Sequence, residues 1–245
     1  DIIIMRKDKI YNNKIVKAGS FEFNDEVTDV FPDMLQRSIP GYKATLEAIE
    51  YLARKFSQEN TLCYDLGCSL GASSLSLMKG IDKKGCKIIA IDQSKAMTNK
   101  FKKNIDTKKL STPIEIINEN ITNTKIENAS IVVMNYTLQF IPKSQRQGII
   151  DKIYDGLLEG GLFFISEKTK SDNQEFNEIT DKLHHNFKIE NSYSEMEIEN
   201  KKTSLENILI RDDIQTHKER LDKSGFLEHE ILLKYFNFSS FIAIK

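Results

Sequence analysis

The sequence contains no tryptophan, only four prolines and no long apolar run, and its charges nearly cancel. No stretch approaches the ~20 apolar residues that a membrane span needs, so a membrane protein is not expected. The 35 Lys and Arg residues against 36 Asp and Glu give a net charge of −1, which provides no overall attraction to nucleic acid or to a membrane surface. The 245 residues suffice for one α/β domain with a full core.

Cysteine is also scarce. The three residues, Cys63, Cys68 and Cys86, are an odd number in a chain too large to need disulfides, which favours a reducing, cytoplasmic location. Cys63 and Cys68 have no second pair or nearby histidine, so zinc is not expected, and we predict three small buried side chains. The opening residues 1–13 have an apolar run of only four residues and no small-residue cleavage site, so no signal peptide is expected there.

From residue 41 onward, amphipathic stretches and short apolar runs alternate. This alternation predicts βαβ units and a mostly parallel, doubly wound α/β sheet. Strands are predicted at 61–67, 86–92, 114–118, 129–135 and 161–168, and helices at 41–57, 72–80, 94–105 and 144–157. Two terminal runs, 230–236 and 239–245, are predicted to pair as a hairpin.

The remaining segments are assigned to the same single domain, 1–245. Residues 20–42 are predicted to form an ordered loop over the site, around a short helix, because prolines stand near both ends of 31–42. Residues 169–225 are polar and helix-leaning, and they predict a helical insertion before the hairpin. His184 and His185 are adjacent and cannot share one helix face, so we expect one packed and one exposed side chain.

A glycine turn follows the first predicted strand. Gly67 and Gly71 would let the backbone turn tightly and approach a ligand closely, although a glycine pair alone also fits an ordinary βα turn. Asp92 ends the second strand, where a carboxylate can accept both ribose hydroxyls of a nucleoside. The alternative for Asp92 is a helix cap.

Two further strands also end in polar residues. The third ends at Asn120-Ile121, where a polar side chain and a free N–H can bind an adenine edge, and the fourth ends at Asn135. Ends of parallel strands converge on one crevice in α/β sheets. Together these ends predict a nucleoside site.

The layout resembles the class I S-adenosylmethionine (SAM) dependent methyltransferases, whose glycine motif is D-x-G-x-x-x-G. Here its residues are Asp65, Gly67 and Gly71. That fold implies seven strands, the last antiparallel, which suits the terminal hairpin. Runs outside this motif are similar to carboxy-S-adenosyl-L-methionine synthases: FPDMLQRSIPGY (31–42), CKIIAIDQSKAM (86–97), NYTLQFI (135–141), DKIYDGL (151–157), SEK (166–168) and QTHKERL (215–221).

This resemblance implies a metal-free carboxylation of SAM. Prephenate loses its carboxylate and hydroxyl and becomes phenylpyruvate, the departing hydroxide takes a proton from the sulfonium methyl, and the resulting carbanion captures CO₂. It also implies a homodimer whose product passes to a second enzyme that modifies wobble uridine in tRNA. No direct tRNA binding by this chain is expected. Apolar residues of the insertion are the candidates for the dimer contact: Phe176, Ile179, Leu183, Phe187, Tyr193, Met196 and Ile198.

The resemblance also implies a ligand set. The residues that would bind SAM or carboxy-SAM are Tyr42, Gly67, Cys68, Ser69, Asp92, Gln93, Asn120, Ile121, Asn135 and Lys202. Tyr42 and Lys202 are the candidates next to the reacting groups. Family members usually have Asp where Asn120 stands and Arg where Lys202 stands. Lys202 would bind the new carboxylate as a point charge instead of a planar fork, and Lys201 is the alternative if the register shifts by one.

Two other functions stay open from the sequence. An ordinary SAM-dependent methyltransferase would have a nucleophile pocket beside the methyl group, without a cation. A non-catalytic SAM-sensing protein or scaffold would bind SAM without turnover.

Overall fold

The computed structural model of the protein describes residues 6–12 and 15–245, so the opening apolar run at 2–5 lies outside the described residues. One seven-stranded sheet has the order β3-β2-β1-β4-β5-β7-β6. The strands are β1 (Leu62–Leu66), β2 (Lys87–Asp92), β3 (Ile114–Asn118), β4 (Ala129–Asn135), β5 (Leu157–Lys168), β6 (Glu228–Tyr235) and β7 (Phe238–Ile244). Strands β1 to β5 run parallel, and β7 pairs antiparallel with β5 and β6. The predicted α/β class, with a mostly parallel sheet and a terminal hairpin, is confirmed.

Eight α-helices and one short 3₁₀ turn, Leu138–Phe140, accompany the sheet in the described residues. The helices are α1 (Asp25–Ser38), α2 (Tyr42–Phe56), α3 (Ala72–Gly80), α4 (Lys95–Ile105), α5 (Lys143–Gly156), α6 (Gln174–Glu190), α7 (Glu195–Ser204) and α8 (Ile214–Ser224). Within the described ranges, none of them has the length and apolar character of a bilayer-spanning helix.

The sheet separates two apolar layers. In β5, Leu162 and Phe164 pack with α2 and α3, whereas Phe163 and Ile165 pack on the opposite face with α5 and α8. All four side chains are at most 2% exposed. Side chains alternate between the two faces of a strand, so an uninterrupted apolar run such as 162–165 fits a strand covered on both sides.

The predicted loop at 20–42 is instead largely the 14-residue helix α1. Asn24 caps it by accepting the N–H of Val27, and its buried face includes Val27, Phe31 and Met34 at helical spacing. The prolines misled the prediction, because Pro32 lies inside the helix, where it removes one backbone donor. Burial of the apolar face outweighs that loss.

The predicted insertion at 169–225 contains three helices, and the last is part of the core layer. Leu221 of α8 is 2% exposed and packs in the same cluster as Ile153 of α5 and Phe163 of β5. The departure from the alternating pattern therefore comprises α6 and α7, which lie beside the sheet's carboxyl edge. His184 is buried as predicted, whereas the side chain of His185, expected to be exposed, is only 30% exposed and lies 2.8 Å from the Glu195 carboxylate.

Candidate active site

A large cleft lies at the carboxyl ends of the parallel strands and is bounded by residues of α1, α6 and α7. Its volume is about 1380 Å³, whereas a pocket for one small ligand has roughly 300–1,000 Å³. The cleft therefore has room for two small substrates. It brings together all ten residues of the predicted ligand set: Tyr42, Gly67, Cys68, Ser69, Asp92, Gln93, Asn120, Ile121, Asn135 and Lys202.

The turn between β1 and α3 has left-handed backbone at three positions, with φ of +83° at Gly67, +47° at Ser69 and +84° at Gly71. A Cβ on Gly67 would lie 2.2 Å from the Thr137 hydroxyl, and one on Gly71 would lie 2.0 Å from the Phe101 ring. Neither glycine can be replaced without a clash, and Ser69 holds a strained conformation of a kind that clusters at ligand sites.

Asp65, the acid of the glycine motif, lies in the core and not among the residues that line the cleft. Its carboxylate accepts the hydroxyl of Ser74 at 2.6 Å, which ties β1 to α3. Burial raises the pKa of Asp65 to about 7, although the bonds from Ser74 oppose that shift. Its contribution to the site is to fix the glycine turn.

The adenine end predicted at the third strand is more open. Asn120 is exposed and Ile121 is buried. The Asn120 carbonyl accepts both the N–H and the hydroxyl of Thr122, each at 2.9 Å, and its amide donates to Gln93 at 3.2 Å. An amide oxygen has two lone pairs, so a ligand amino group would have to take the place of one of the Thr122 donors. Asn120 therefore keeps an acceptor at this position, but that acceptor is occupied in the unliganded protein.

Asn135 presents an unpaired acceptor in the wall of the cleft. Its amide donates to the Ser73 hydroxyl at 3.2 Å, but its Oδ1 is buried and has no hydrogen-bond partner among the described residues. Buried acceptors without a partner are costly, which fits a ligand N–H at this point. Tyr42 lines the cleft too, and burial raises the pKa of its phenol, which keeps it a neutral donor.

Lys201 and Lys202 both line the cleft but differ in exposure. The Lys201 ammonium donates to the Ser38 hydroxyl at 3.1 Å, and burial lowers its pKa to about 8. The Lys202 side chain is 76% exposed, and its nearest carboxylate is that of Glu199 at 3.8 Å. Lys201 therefore points inward at rest, while Lys202 stands at the solvent edge.

Three further cations line this end of the cleft and were not predicted as site residues: Lys168, Lys188 and Arg211. Lys168 ends β5 within the SEK run that carried part of the resemblance, which was the one available signal. Lys188 and Arg211 lie in the helix-leaning insertion, where charged residues usually face solvent.

The three cysteines are free and buried, as predicted. Burial raises the pKa of Cys68 well above its usual value, so the thiol stays neutral. Within the described part of the chain, no cluster of three or more His, Cys, Asp or Glu side chains could hold a metal ion.

Solved structures with this fold include a SAM-dependent methyltransferase described as putative, from Methanococcus maripaludis, with a TM-score of 0.60 and 24% identity over 92% of this chain and 94% of that one. Human N-acetylserotonin methyltransferase in complex with SAM has a TM-score of 0.59 and 13% identity over 90% of this chain and 55% of that one. These likenesses show the fold alone.

Sequence comparisons are more specific. The family described as a methyltransferase domain matches residues 63–161. Carboxy-S-adenosyl-L-methionine synthases of Shigella boydii serotype 4 and of Escherichia coli O17:K52:H18 are each 45% identical over 239 residues, which is 98% of this chain and 97% of each relative. With that identity over nearly its whole length, the chain belongs to the family of carboxy-S-adenosyl-L-methionine synthases.

Proposed function

We propose that this enzyme converts SAM and prephenate to carboxy-SAM, phenylpyruvate and water. Its family membership supports the product, and one feature of the site supports the reaction: the nucleoside end of the cleft continues into a cationic end. Transfer of a methyl group from a sulfonium to a neutral nucleophile has no need of several cations. A reaction that consumes a dicarboxylate and makes a new carboxylate does need them.

The nucleoside end has the donors and acceptors that SAM requires. Asp92 would bind the two ribose hydroxyls, and Asn120 with the N–H of Ile121 would bind adenine. The backbone of Gly67 to Ser69, which turns through left-handed conformations at Gly67 and Ser69, would hold the methionyl part of SAM. The unpaired Oδ1 of Asn135 would accept from the methionyl ammonium.

Lys202 is proposed to bind the new carboxylate, since its long contact with Glu199 is exposed and worth little. Its flexible side chain can turn inward when a carboxylate forms. Lys201 is the alternative in this role, but it would have to leave Ser38.

The protein has to supply charge compensation, orientation and a dry cleft, but not a strong base. The hydroxide that leaves prephenate removes a proton from the SAM methyl group and becomes water. The CO₂ that prephenate releases then forms a bond to the methyl carbon. The titratable side chains of the cleft are consistent with this absence of a strong base. Tyr42 and Cys68 are held in their neutral acid forms, and the pKa of His184 is lowered well below its usual value by burial and by Lys168 and Lys188.

The homodimer and the passage of product to a tRNA-modifying enzyme in the cytoplasm are parts of the same proposal. Exposed apolar side chains of α6 and α7 support a protein contact: Phe176 is 59% exposed, Ile179 48%, Leu183 43% and Met196 57%. Tyr193 and Ile198 are buried within the chain, so they are not available to a partner.

Incubation with SAM and prephenate tests the function. We expect phenylpyruvate and a nucleoside heavier than SAM by one CO₂ in equal amounts, detected by mass spectrometry. Methyl transfer without prephenate would indicate an ordinary methyltransferase. Bound SAM without any product would indicate a sensor or scaffold.

A further inference from the structure

In the part of the chain that the structure describes, two ammonium groups at the cationic end of the cleft have no carboxylate in direct contact. Lys168 and Lys188 are both partly buried cleft residues. Among residues 6–12 and 15–245, no carboxylate oxygen lies within 4.0 Å of either ammonium, and neither ammonium donates a hydrogen bond to the protein. Burying a charge without a partner is costly, so this pair needs an explanation.

The neighbouring groups do not supply the missing charge. Asp181 is already engaged, because it accepts from Arg211 at 2.8 Å and from Asn237 at 2.7 Å. Glu199 lies at the surface beside Lys202, and its charge raises the pKa of Lys188 without outweighing burial. His184 donates to the Ser38 carbonyl at 2.8 Å and stays neutral.

The electrostatic consequence is that the charged forms of both lysines are disfavoured. Burial, followed by repulsion from Arg211 and Lys188, lowers the pKa of Lys168 to about 7. Burial also lowers the pKa of Lys188 to about 8. An anion placed between them would relieve both effects, and perturbed groups of this kind gather at functional sites.

The pair is also close to the place where SAM would end. The backbone N–H of Lys168 donates to the side chain of Gln139 at 3.0 Å, in the segment that follows Asn135. The Lys168 ammonium lies 5.7 Å from the centre of the Phe238 ring, and that ring packs edge-on to Tyr136 with centroids 5.9 Å apart. Phe238 and Tyr136 therefore connect Lys168 to the segment that follows Asn135.

We propose that Lys168 and Lys188 form the binding subsite for the second substrate, a small dicarboxylate, with one carboxylate on each lysine. The assignment rests on the proposed function for the substrate's identity. It adds a subsite separate from Lys202, which is assigned to the carboxylate of the product.

The test is calorimetric titration of prephenate into protein loaded with S-adenosylhomocysteine, which has no methyl group and cannot react. Lys168→Met and Lys188→Met keep the length of the side chain and remove its charge. Each should weaken prephenate binding by roughly tenfold or more, the effect of losing one charge-assisted contact. Phenylpyruvate, with one carboxylate, should be weakened by only one of the two substitutions.

Lys182→Met is the matched control, because Lys182 is an exposed residue of the same helix α6 and lies outside the cleft lining. It should bind prephenate like the unmodified protein. Binding of S-adenosylhomocysteine should be unchanged in all three variants. Lys188→Met should also raise the melting temperature by roughly a few degrees, since it removes an unpaired buried charge, and Lys188→Arg should restore prephenate binding.

Unchanged prephenate affinity in both Met variants overturns the subsite, and so does a matching loss of S-adenosylhomocysteine, which would mark a structural role. The two proposals fail separately. Tight prephenate binding without carboxy-SAM formation contradicts the function and leaves the subsite standing. Carboxy-SAM formation with an unchanged KM for prephenate in both variants overturns the subsite and leaves the proposed function standing.

Discussion

The carboxylate of Asp92 accepts the backbone N–H of Ser69 at 2.9 Å across the mouth of the glycine turn. Its other oxygen accepts the N–H of Ser94 at 2.8 Å. A carboxylate has about four lone-pair sites, so both oxygens keep capacity for ligand hydroxyls. Burial raises the pKa of Asp92, while these two bonds favour its ionised form. One side chain thus fixes the turn and presents acceptors to the cleft.

Replacing Asp92 with Ala should weaken SAM binding by about 1.5–3 kcal/mol, the range for hydrogen bonds to a charged group. The turn at Ser69 loses its anchor as well, so a moderate loss of stability should accompany it. Calorimetry and thermal melting measure the two effects. Asp82→Ala, at an exposed loop residue, is the control. Unchanged affinity in a folded Asp92→Ala protein would remove Asp92 from the ribose site.

Substitution of Gly67 by Ala should destabilise the protein and reduce SAM affinity together. The new Cβ meets the Thr137 hydroxyl at 2.2 Å and the backbone stays at φ +83°, for a cost of roughly 1–3 kcal/mol. Gly148→Ala is the control, since a Cβ there meets nothing within 4 Å and a helix gains from alanine. Denaturant unfolding should show a lower free energy of unfolding for Gly67→Ala than for Gly148→Ala. Equal values for the two variants would mean that the turn accepts a Cβ without cost.

The strand ends were predictable because local patterns define them. Asp92, Asn120 and Asn135 each follow an apolar run, and parallel strands bring such ends to one edge. The lysine pair was not predictable, since Lys168 and Lys188 are 20 residues apart on a strand and a helix and only the packing of α6 brings both into the cleft. A short helix was predicted within residues 20–42, but its full extent, Asp25–Ser38, was missed because Pro32 suggested a break that tertiary burial overrides.

Asp212 joins the segment that precedes α8 to helices α5 and α8. It accepts Arg146 at 2.6 Å and Arg220 at 2.9 Å, and Arg146 is only 1% exposed. Removing one partner of a buried pair costs roughly 3–5 kcal/mol, so Asp212→Ala should lose about that much unfolding free energy. Lys143→Ala, which removes the more exposed contact to Asp212, should lose about 1 kcal/mol or less.

The same aspartate predicts a pH dependence. Burial alone would raise the pKa of Asp212, but hydrogen bonds from Arg146 and Lys143 outweigh it and hold the pKa well below its usual range. Its stabilising contribution is therefore present above the unfolded pKa of about 3.9 and is lost as pH falls below that value. The free energy of unfolding, measured from pH 7 to pH 3, should differ less between wild type and Asp212→Ala below about pH 4. A constant difference would contradict this.

Prephenate affinity should fall as pH rises from about 7 to 9. Lys168 and Lys188 have pKa values lowered to about 7 and 8, so the free enzyme loses charge in this window, and anion binding has to restore it. Other groups that face them are Arg211, Lys201, Lys202, His184, Asp181 and Glu199. Titrations at pH 8 in two buffers of different ionisation enthalpy should reveal proton uptake, and clearly less should be seen in the double Met variant, in which Lys201 remains as a cleft lysine with a pKa of about 8.

In the enzyme without ligand, the free energy of unfolding should rise with pH, whereas prephenate affinity falls. A lysine whose pKa is lowered on folding binds fewer protons in the folded than in the unfolded state between about pH 7 and pH 10.4, so unfolding free energy should rise with pH there. Lys188→Met should flatten part of that rise. An equal slope in the variant and the wild type would mean that Lys188 has a solvated, ordinary ammonium group.

Lys202 should distinguish product from substrate. Carboxy-SAM carries a negative charge that SAM lacks, and an inward-turned Lys202 would make one charge-assisted contact with it, worth roughly 1.5–3 kcal/mol. Lys202→Ala should therefore weaken carboxy-SAM by about tenfold or more and leave SAM nearly unchanged. Lys202→Arg should bind carboxy-SAM at least as tightly, because the guanidinium matches a carboxylate at two points. Lys201→Ala is the decisive comparison, since Lys201 already points inward to Ser38. Competition binding of SAM and carboxy-SAM to each variant shows which of the two lysines binds the carboxylate. A selective loss in Lys201→Ala with none in Lys202→Ala would transfer the role to Lys201, and equal losses of both ligands would make the residue concerned structural.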